Sequence, residues 1–578
     1  MTKTITKRTR HRAAIVGALF FLSLCAISAQ AIRLHVFERD WLSERADRES
    51  TYNGVVQGKR GAITDRNKEP LAVSIDSPSI AAFPRRIIDR KNAARQLAAA
   101  LKQPEKQVFD TLNPKRSFVW LKRQATPRQA SMVRQMEIQG IEFMTEHTRY
   151  YPSKTLAAQL VGFSGVDSRG LEGMEYYLNA HLKGKEQKIS VRKDAKGRRF
   201  EGQSTPPDLV VGNDVVLTID RTIQHIAQKA LEAAVLEYAA KSGMAVVMKP
   251  STGEVLALAH HPFFNPNNYR EFHKDAWRNR AITDPFEPGS TMKMFSVAAA
   301  IDSGICSPST IFFCENGEYR IGRNTIHDTK SHGWLSLQQI VKYSSNIGTV
   351  KISEKLGPGR LYGYLKAFGF GSRTGIPCPG ETSGSLSNFK RWSAIDTGAI
   401  SFGQGISVSA IQLTAAASAI ANDGLLMKPL LIREVLDRNG NIVEKFSPEP
   451  VRQVIDPQTA STVRRILQTV ISEGGTGVHA SLDGYSICGK TGTAQKIDET
   501  GTYSKDRYLS SFVGFVPANR PELTILVIVD EPKIQTYGGI VAAPAFRQIA
   551  LETLTYLNIP PGPAAERLRV SRSNGAKG

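Results

Sequence analysis

The chain has 578 residues, which exceeds the usual size of one domain and indicates two or more. Its formal charge of +22 comes from 75 basic and 53 acidic residues and favours an anionic neighbourhood such as membrane lipid. The sequence shows no nucleic-acid-binding module and no basic repeat with interleaved aromatic residues, so nucleic acid is not an expected partner. The five cysteines are an odd, widely spaced set that defines no disulfide framework, and a bridge between Cys306 and Cys314 stays open.

The N-terminal segment predicts a membrane anchor. Residues 13–32 form an uncharged stretch of 20, which is long enough to span a bilayer. Basic residues from Lys3 to Arg12 precede it, so we expect residues 1–12 to stay cytoplasmic, residues 13–33 to cross the inner membrane once, and the remainder to be exported. Ala29–Ala31 imitates a signal-peptidase site, but the stretch is long for a cleaved signal, which favours an uncleaved anchor.

The part of the chain that follows the anchor predicts a supporting module. Residues 50–215 mix short strand and helix patterns with many Gly, Pro and charged residues, which indicates a mixed α/β pedestal or interaction domain. Turn-forming residues at Thr205–Asp208 and Gly212–Asp214 mark the exit from it.

A second domain is predicted over residues 222–557. A helix from Thr222 to Ala240 is followed by strands at Ala245–Met248 and Glu254–Ala259, and a hairpin packed against helices indicates an α+β core. The last residues, 558–578, are rich in Pro and Gly and then basic, so we expect a disordered tail.

The motif Ser290–Lys293 (Ser-Thr-Met-Lys) predicts an activated nucleophile. A structure-breaking run, Asp284–Gly289, precedes it, and an apolar helix begins at or near the serine. Residues at i and i+3 share one helix face, and burial among apolar residues disfavours a charged lysine and lets it act as a base. Two further Ser-x-x-Lys matches, at Ser190 and Ser387, lie in a charged run and in a Gly/Ser-rich stretch and lack this setting.

Two more motifs follow in order. Ser344–Asn346 (Ser-Ser-Asn) follows the helical stretch Leu337–Tyr343, and its hydroxyl and amide can relay a proton and hold a peptide carbonyl. Lys490–Thr493 (Lys-Thr-Gly-Thr) predicts an edge strand, on which the glycine lets a peptide substrate approach and pair with the backbone. Together the three motifs predict a serine acyl-transfer site. No metal-ligand pattern accompanies them, and neither a metal nor a cofactor is expected.

The three motifs, in this order, resemble those of the penicillin-recognising serine enzymes. The rest of the chain resembles the class B penicillin-binding proteins, and most closely their division-specific type, often called penicillin-binding protein 3. Segments similar to the box motifs of their N-terminal, dimerisation-type module are Arg60–Asn67, Arg149–Pro152, Gly170–Glu175 and Leu217–Asp220. Segments similar to their transpeptidase domain are Glu287–Thr291 and Ser401–Gly405.

The resemblance implies a role for each catalytic motif residue. Ser290 would be the acylated nucleophile and Lys293 its general base. Ser344 and Asn346 would assist proton transfer and substrate binding, and Lys490 would shape the electrostatics of the site. Which of the two lysines and Ser344 moves each proton stays open.

The resemblance also implies the substrate contacts and the fold. Thr491 and Thr493 would bind the substrate carboxylate, Gly492 would allow its close approach, and the backbone N–H groups of Ser290 and Thr493 would form the oxyanion hole. The fold would be the β-lactamase-like transpeptidase fold, an antiparallel sheet with helices on both sides.

The implied function is a peptidoglycan D,D-transpeptidase that acts outside the cytoplasmic membrane, and the division-specific likeness favours a role at the septum. Its partners would be stem peptides that end in D-Ala-D-Ala, β-lactams as inhibitors, the membrane, a lipid-II-polymerising glycosyltransferase and other division-complex proteins. Alternatives left open are an elongation-specific transpeptidase, a D,D-carboxypeptidase and a non-catalytic division scaffold.

A β-lactamase is a further alternative. Glu175–Asn179 fits the E-x-x-L-N pattern of the class A enzymes, but it precedes Ser290, whereas that family places the pattern after its S-x-N motif. We therefore assign Glu175 to a box motif of the pedestal.

Overall fold

The computed structural model describes residues 2–42, 51–56, 58–184, 187–192 and 211–562. The predicted exit signal at Thr205–Asp208 and residues 563–578 of the predicted tail lie outside these ranges. The chain divides into two units, one of residues 1–58 and 184–211 and the other of residues 59–183 and 212–578.

The first unit contains the N-terminal helix and a strand pair. An α-helix, Thr2–Ile32, continues as a π-helical segment, Arg33–Phe37. Among the described residues, Lys7–Phe37 is the one helical span long and apolar enough to cross a membrane, and it includes the predicted anchor. Strands Thr51–Val56 and Gln187–Arg192 pair with each other antiparallel.

The second unit contains a mixed sheet of seven strands. In order of pairing its main path is Ile442–Lys445, Ile432–Leu436, Asp214–Leu217, Ile63–Thr64, Pro70–Ala82 and Val119–Lys122, and Ile141–Tyr150 pairs with Pro70–Ala82. The first two strands come from the predicted second domain and the others from the predicted pedestal. The sheet therefore joins residues from both sides of the predicted boundary near residue 215.

Helices cover part of this sheet and enclose a core of their own. Ile80, Leu97 and Leu112 are fully buried in this smaller apolar cluster. The helices that contribute to this cluster are Arg90–Leu101, Glu105–Thr111 and Pro127–Arg134. Three short helices that follow, Ala158–Val161, Gly173–Tyr177 and Asn179–Leu182, place their buried apolar residues in the larger core.

A five-stranded antiparallel sheet organises the rest of the second unit. In order of pairing its strands are Cys488–Ile497, Tyr503–Val516, Leu523–Asp530, Ser242–Met248 and Val255–His261. Every residue of the central strand Leu523–Asp530 is buried, as expected for a strand covered on both faces. The Cys488–Ile497 strand lies at one edge and pairs on one side only.

Helices flank this sheet. Arg221–Glu237 and Ala543–Tyr556 pack against each other and against strands of the sheet, and Ala410–Ala421, which is buried at every position, contacts three of its strands. The other longer helices of this region are Lys293–Asp302, Leu337–Tyr343, Asn346–Leu356, Pro358–Ala367, Ala394–Ser401 and Pro457–Ile471. The predicted α+β class, with an antiparallel sheet flanked by helices, is confirmed.

The predicted elements differ from the observed ones mainly at their ends. The helix predicted from Thr222 to Ala240 runs from Arg221 to Glu237, because Asp220 caps its N-terminus by accepting hydrogen bonds from the Thr222 and Ile223 amides. The two predicted hairpin strands are longer, at Ser242–Met248 and Val255–His261.

Two smaller sequence expectations concern the cysteines and the tail. Cys306 and Cys314 are buried free thiols, so the disulfide that the sequence left undecided is not formed. The first residues of the predicted tail pack against the fold, because the Gly562 amide donates to the Gly484 carbonyl at 3.0 Å and the Tyr485 hydroxyl donates to the Ile559 carbonyl at 2.8 Å.

Candidate active site

Ser290 lies in a tight turn against the edge strand. The turn Gly289–Met292 is a 3₁₀ turn that runs directly into the helix Lys293–Asp302. Gly289 has a φ of +55°, and a Cβ built on it would lie 3.3 Å from the Thr493 carbonyl oxygen. A glycine at this position therefore lets the serine turn lie close to the strand that carries Thr493.

The Lys293 amine faces the Ser-Ser-Asn turn. Its Nζ donates to the Ser344 carbonyl at 2.5 Å, to the Ser344 hydroxyl at 3.1 Å and to Asn346 Oδ1 at 2.8 Å. The side chain of Lys293 is fully buried. Within the described ranges the Ser290 hydroxyl makes no hydrogen bond. Ser290 lies in the 3₁₀ turn and Lys293 begins the helix that follows, but the Lys293 amine is hydrogen-bonded to the second motif and not to Ser290.

The second motif forms a kinked junction between two helices. Ser344 ends the helix Leu337–Tyr343 with a φ of +63°, in the left-handed region. Ser345 then caps the helix Asn346–Leu356, since its hydroxyl accepts a hydrogen bond from the Gly348 amide at 2.9 Å. This change of chain direction exposes the Ser344 hydroxyl to both lysines of the site.

The third motif lies on the edge strand Cys488–Ile497. Lys490 is fully buried, and its Nζ donates to the Ser344 hydroxyl at 2.9 Å. The Thr491 hydroxyl donates to Thr476 at 3.0 Å, and the Thr493 hydroxyl accepts from the Gly538 amide at 3.1 Å. The Ser344 hydroxyl is thus shared by the two lysine amines.

Gly492 sets the distance between the strand and the serine turn. A Cβ built on Gly492 would lie 2.9 Å from the Thr291 methyl and 2.3 Å from the Ser511 hydroxyl. Real Cβ atoms do not approach this closely, so a larger residue would force the strand and the turn apart.

Burial changes the ionisation of both lysines. Burial lowers the pKa of Lys293 to about 7, and the nearby Asp328 carboxylate acts in the opposite direction. Burial, followed by the positive charge of Lys293, lowers the pKa of Lys490 well below its ordinary value. A neutral amine is therefore accessible near neutral pH, which is the condition for a lysine to act as a base.

Asp328 is a site residue that the sequence analysis missed. Its carboxylate accepts hydrogen bonds from the Ser345 hydroxyl at 2.5 Å and from the amides of Asn346 and Ile347. The neighbouring His327 carbonyl accepts from Asn346 Nδ2 at 2.9 Å. Asp328 and His327 therefore orient the second motif from a loop, and no local pattern in the sequence marks them.

A cleft extends along the edge strand beyond Thr493. It has a volume of about 490 Å³ and lies between Pro285–Glu287, Gly405–Ser407 and Ala494–Ile497. An unpaired strand edge beside a cleft is the geometry that extended peptides use to add a strand to a sheet.

The alternative motif matches lie elsewhere. Ser387 accepts hydrogen bonds from the Trp392 indole and does not belong to the site. Lys241 of the sequence Lys-Ser-Gly, which resembles the start of the third motif, forms an ion pair with Glu531 and does not belong to it either. Ser190 lies in the first unit, on the strand Gln187–Arg192.

Glu175, the residue of the β-lactamase-like pattern, is fully buried in a structural network. Its carboxylate accepts from Arg60 Nε and from Arg149 Nε, each at 2.5 Å. Arg60 also donates to the Ser168 carbonyl and to Asn179 Oδ1. Three of the four predicted box motifs, those with Arg60, Arg149 and Glu175, therefore meet in one buried ion-pair cluster, and the assignment of Glu175 to a box motif fits these contacts.

Comparisons with known proteins identify two family domains. Residues 243–551 match the penicillin-binding protein transpeptidase domain, and residues 55–217 match the penicillin-binding protein dimerisation domain. The first match alone covers more than half of the chain.

Three relatives illustrate the likeness. The probable peptidoglycan D,D-transpeptidase PbpC of Pseudomonas aeruginosa is 37% identical over 96% of this chain and 97% of its own length. The peptidoglycan D,D-transpeptidase FtsI of Escherichia coli K12 is 34% identical over 95% of this chain and 92% of its own length. The crystal structure of penicillin-binding protein 3 of Mycobacterium tuberculosis in complex with ampicillin superimposes with a TM-score of 0.70 at 30% identity, over 89% of this chain and 98% of that chain. The chain belongs to the class B penicillin-binding proteins.

Proposed function

We propose that this protein is a membrane-anchored peptidoglycan D,D-transpeptidase that cross-links stem peptides through an acyl-enzyme on Ser290 and serves septal wall synthesis. The observation that carries the proposal is the convergence of two buried lysine amines on the Ser344 hydroxyl, at 3.1 and 2.9 Å, beside the turn that holds Ser290. Family membership and the printed activity of two relatives support it.

The proposed first step forms the acyl-enzyme. Ser290 Oγ attacks the carbonyl of the penultimate D-alanine and forms a C–O bond, while Lys293 takes the hydroxyl proton. The C–N bond to the terminal D-alanine then breaks, and the proton passes to the leaving amine through the network of Ser344 and Lys490. This assignment needs Lys293 to be neutral, and its lowered pKa of about 7 supplies that form.

The proposed second step transfers the acyl group. An amine of a neighbouring stem peptide attacks the ester, a C–N bond forms, the C–O bond to Ser290 breaks, and a proton returns to the Ser290 oxygen. Asn346 would hold a peptide carbonyl of the substrate through its side-chain amide. In both steps the negative charge on the carbonyl oxygen would be stabilised by the N–H groups of Ser290 and Thr493.

The edge strand supplies the proposed substrate contacts. Thr491 and Thr493 would bind the substrate carboxylate through their hydroxyls, and Gly492 would admit the peptide backbone. A β-lactam that mimics D-Ala-D-Ala would acylate Ser290 and leave slowly. The similar protein of Mycobacterium tuberculosis has been crystallised with ampicillin, which supports this expectation.

The arrangement around the membrane is also a proposal. Residues 1–12 would be cytoplasmic, residues 13–33 would form the anchor, and residues 50–215 and 222–557 would form the exported pedestal and transpeptidase domains, with residues 558–578 as a tail. The helical span Lys7–Phe37 contains the uncharged stretch 13–32, and the basic residues from Lys3 to Arg12 precede that stretch; both features support a single crossing with the N-terminus inside. The pedestal would contact a lipid-II-polymerising glycosyltransferase and other division proteins.

An in vitro reaction tests the activity. The full-length protein in detergent is mixed with a donor peptide that ends in D-Ala-D-Ala and an amine acceptor, and both D-alanine release and the cross-linked product are measured. Wild type should form both, and Ser290→Ala should form neither. Product formation by Ser290→Ala at the wild-type rate would refute the role of Ser290, and D-alanine release without cross-linked product would favour a carboxypeptidase.

Two cellular experiments test the remaining parts of the proposal. Filamentous cells after depletion are expected for a septal enzyme, whereas rounded cells would indicate an elongation enzyme. Complementation of a conditional division mutant should fail with Ser290→Ala, and success would favour the scaffold alternative.

A further inference from the structure

A second cavity lies apart from the acyl-transfer site. It has a volume of about 340 Å³ and is enclosed by the helix Pro358–Ala367, the segment Phe368–Thr374, the helix Ala410–Ala421 and the paired strands Leu425–Met427 and Pro450–Gln453. None of the residues of the three acyl-transfer motifs lines it. Its size falls within the range of small-molecule binding pockets.

The cavity has an apolar floor. Phe368, Leu426 and Met427 line it and are each less than a tenth exposed. Ala415 of the long buried helix completes the floor. Such a surface suits the apolar body of a small ligand.

The rim of the cavity is strongly basic. Lys366, Arg373, Lys428 and Arg452 line it, and of these only Lys428 has a carboxylate partner, Glu449 at 2.9 Å. In the part of the chain that the structure describes, the other three cations form no ion pair with a carboxylate. Three uncompensated positive charges around one cavity favour an anionic ligand.

The contacts that these three cations do make are weak or neutral. Lys366 Nζ donates to the Ser372 hydroxyl at 2.7 Å, and Arg452 Nη1 reaches the Lys366 carbonyl at 3.5 Å. Arg373 is exposed, and its guanidinium has no hydrogen-bond partner among the described residues. Both arginines are therefore free to donate to an oxyanion without losing an ion pair.

The loop at the rim adds backbone donors. The amides of Ser372 and Arg373, which line the cavity, donate to no protein acceptor within the described ranges. The next two amides, of Thr374 and Gly375, are already used by the Glu381 carboxylate. Free amides beside uncompensated cations are a donor set that suits a group with several acceptor oxygens.

We infer that this cavity binds a small organic phosphate monoester, with the phosphate at the basic rim and the organic part on the apolar floor. A phosphate monoester carries close to two negative charges and three strong acceptor oxygens, which matches the three cations and the free amides better than a carboxylate does. The volume admits a compact organic group and excludes long acyl chains.

Titration calorimetry of the full-length protein in nonionic detergent tests the site with phenyl phosphate as the probe. Wild type should bind phenyl phosphate at least tenfold more tightly than benzoate. Arg373→Ala and Arg452→Ala should each weaken binding at least fivefold, and the double variant should abolish it. Dihexanoyl phosphatidic acid carries the same phosphate group, and its tighter binding at these arginines would identify a lipid headgroup as the source.

Arg520→Ala is the matched control, because Arg520 is highly exposed and lies outside the cavity, and because its substitution removes the same charge. It should bind phenyl phosphate like wild type. Unchanged acylation of the double variant by a fluorescent penicillin would show that it is folded. The loss of phenyl phosphate binding could then be interpreted independently of the proposed transpeptidase function. No binding by wild type, equal affinity for benzoate, or wild-type binding by the double variant would overturn the inference.

Discussion

At the scale of single residues, the site depends on two lysines that share one hydroxyl. Lys293 and Lys490 are both fully buried, and both donate to Ser344. Two positive charges so close together in a buried site are unfavourable, so protonation of one lysine opposes protonation of the other. The arrangement therefore keeps at least one amine available as a base near neutral pH.

The lowered pKa of Lys293 predicts a pH dependence of acylation. Below pH 7 the amine is protonated and cannot accept the Ser290 proton, so the rate constant should rise with pH and level off above about 7. Acylation of the full-length protein by a fluorescent penicillin, measured from pH 5 to 9, checks this. Lys293→Arg should abolish acylation at every pH, because a guanidinium stays protonated. A rate that is flat across this range would contradict the assignment of Lys293.

Asp328 should tune the same titration. Its carboxylate raises the pKa of Lys293 against the larger effect of burial, so Asp328→Asn should move the inflection of the acylation profile to lower pH. The variant also weakens the hydrogen bonds to Ser345 and Asn346, and we expect acylation on the plateau to fall by roughly tenfold. A plateau loss without a shift of the inflection would limit Asp328 to a structural role.

At the scale of secondary-structure elements, the close contact of the edge strand and the serine turn is the critical feature. Gly492→Ala places a Cβ 2.9 Å from the Thr291 methyl and should displace the strand from the turn. A shift of this kind near a reactive group lowers rates strongly, and we expect a loss of acylation by a factor of roughly 10 to 100.

A control glycine separates this effect from a general effect of the substitution. Gly363 lies in the helix Pro358–Ala367, and a Cβ built on it would meet no atom within 4 Å. Gly363→Ala should therefore acylate like wild type. Wild-type acylation by Gly492→Ala in the same assay would show that the contact is not needed.

The buried ion-pair cluster of Glu175 is a second element-scale feature. Glu175→Gln leaves Arg60 and Arg149 without their common carboxylate, and loss of one partner of a buried ion pair lowers the free energy of unfolding by about 3–5 kcal/mol. Urea unfolding followed by tryptophan fluorescence measures this. Glu69→Gln, which removes an exposed pair with Arg221, should cost less than about 1 kcal/mol.

Glu175→Gln also tests whether Glu175 has a structural role or takes part in deacylation. Folded Glu175→Gln should form the penicillin adduct and lose it at wild-type rates. A large change in the rate of adduct loss would instead connect Glu175 with hydrolysis.

At the scale of the whole molecule, the sequence predicted the chemistry better than the connectivity. The fold brings together the residues of the three predicted motifs, Ser290–Lys293, Ser344–Asn346 and Lys490–Thr493. These motifs could be found because each is a short stretch that contains the residue types needed for acyl transfer. The strands Ile432–Leu436 and Ile442–Lys445 join a sheet of the predicted pedestal, which was not foreseen. Pairing between strands more than two hundred residues apart leaves no local pattern from which it can be read.

Asp328 shows the same limit at the active site. It acts through a loop that the fold places against the second motif, and neither its spacing nor its neighbours distinguish it in the sequence. The lowered pKa of Lys293, in contrast, was expected in direction from the apolar residues around it, since burial follows from that pattern.

The most direct test of the account identifies the residue that a penicillin modifies. The full-length protein is treated with benzylpenicillin, digested and analysed by mass spectrometry. We predict one long-lived adduct, on the peptide that contains Ser290, and no adduct on Ser290→Ala. An adduct on another residue, or equal modification of Ser290→Ala, would contradict it.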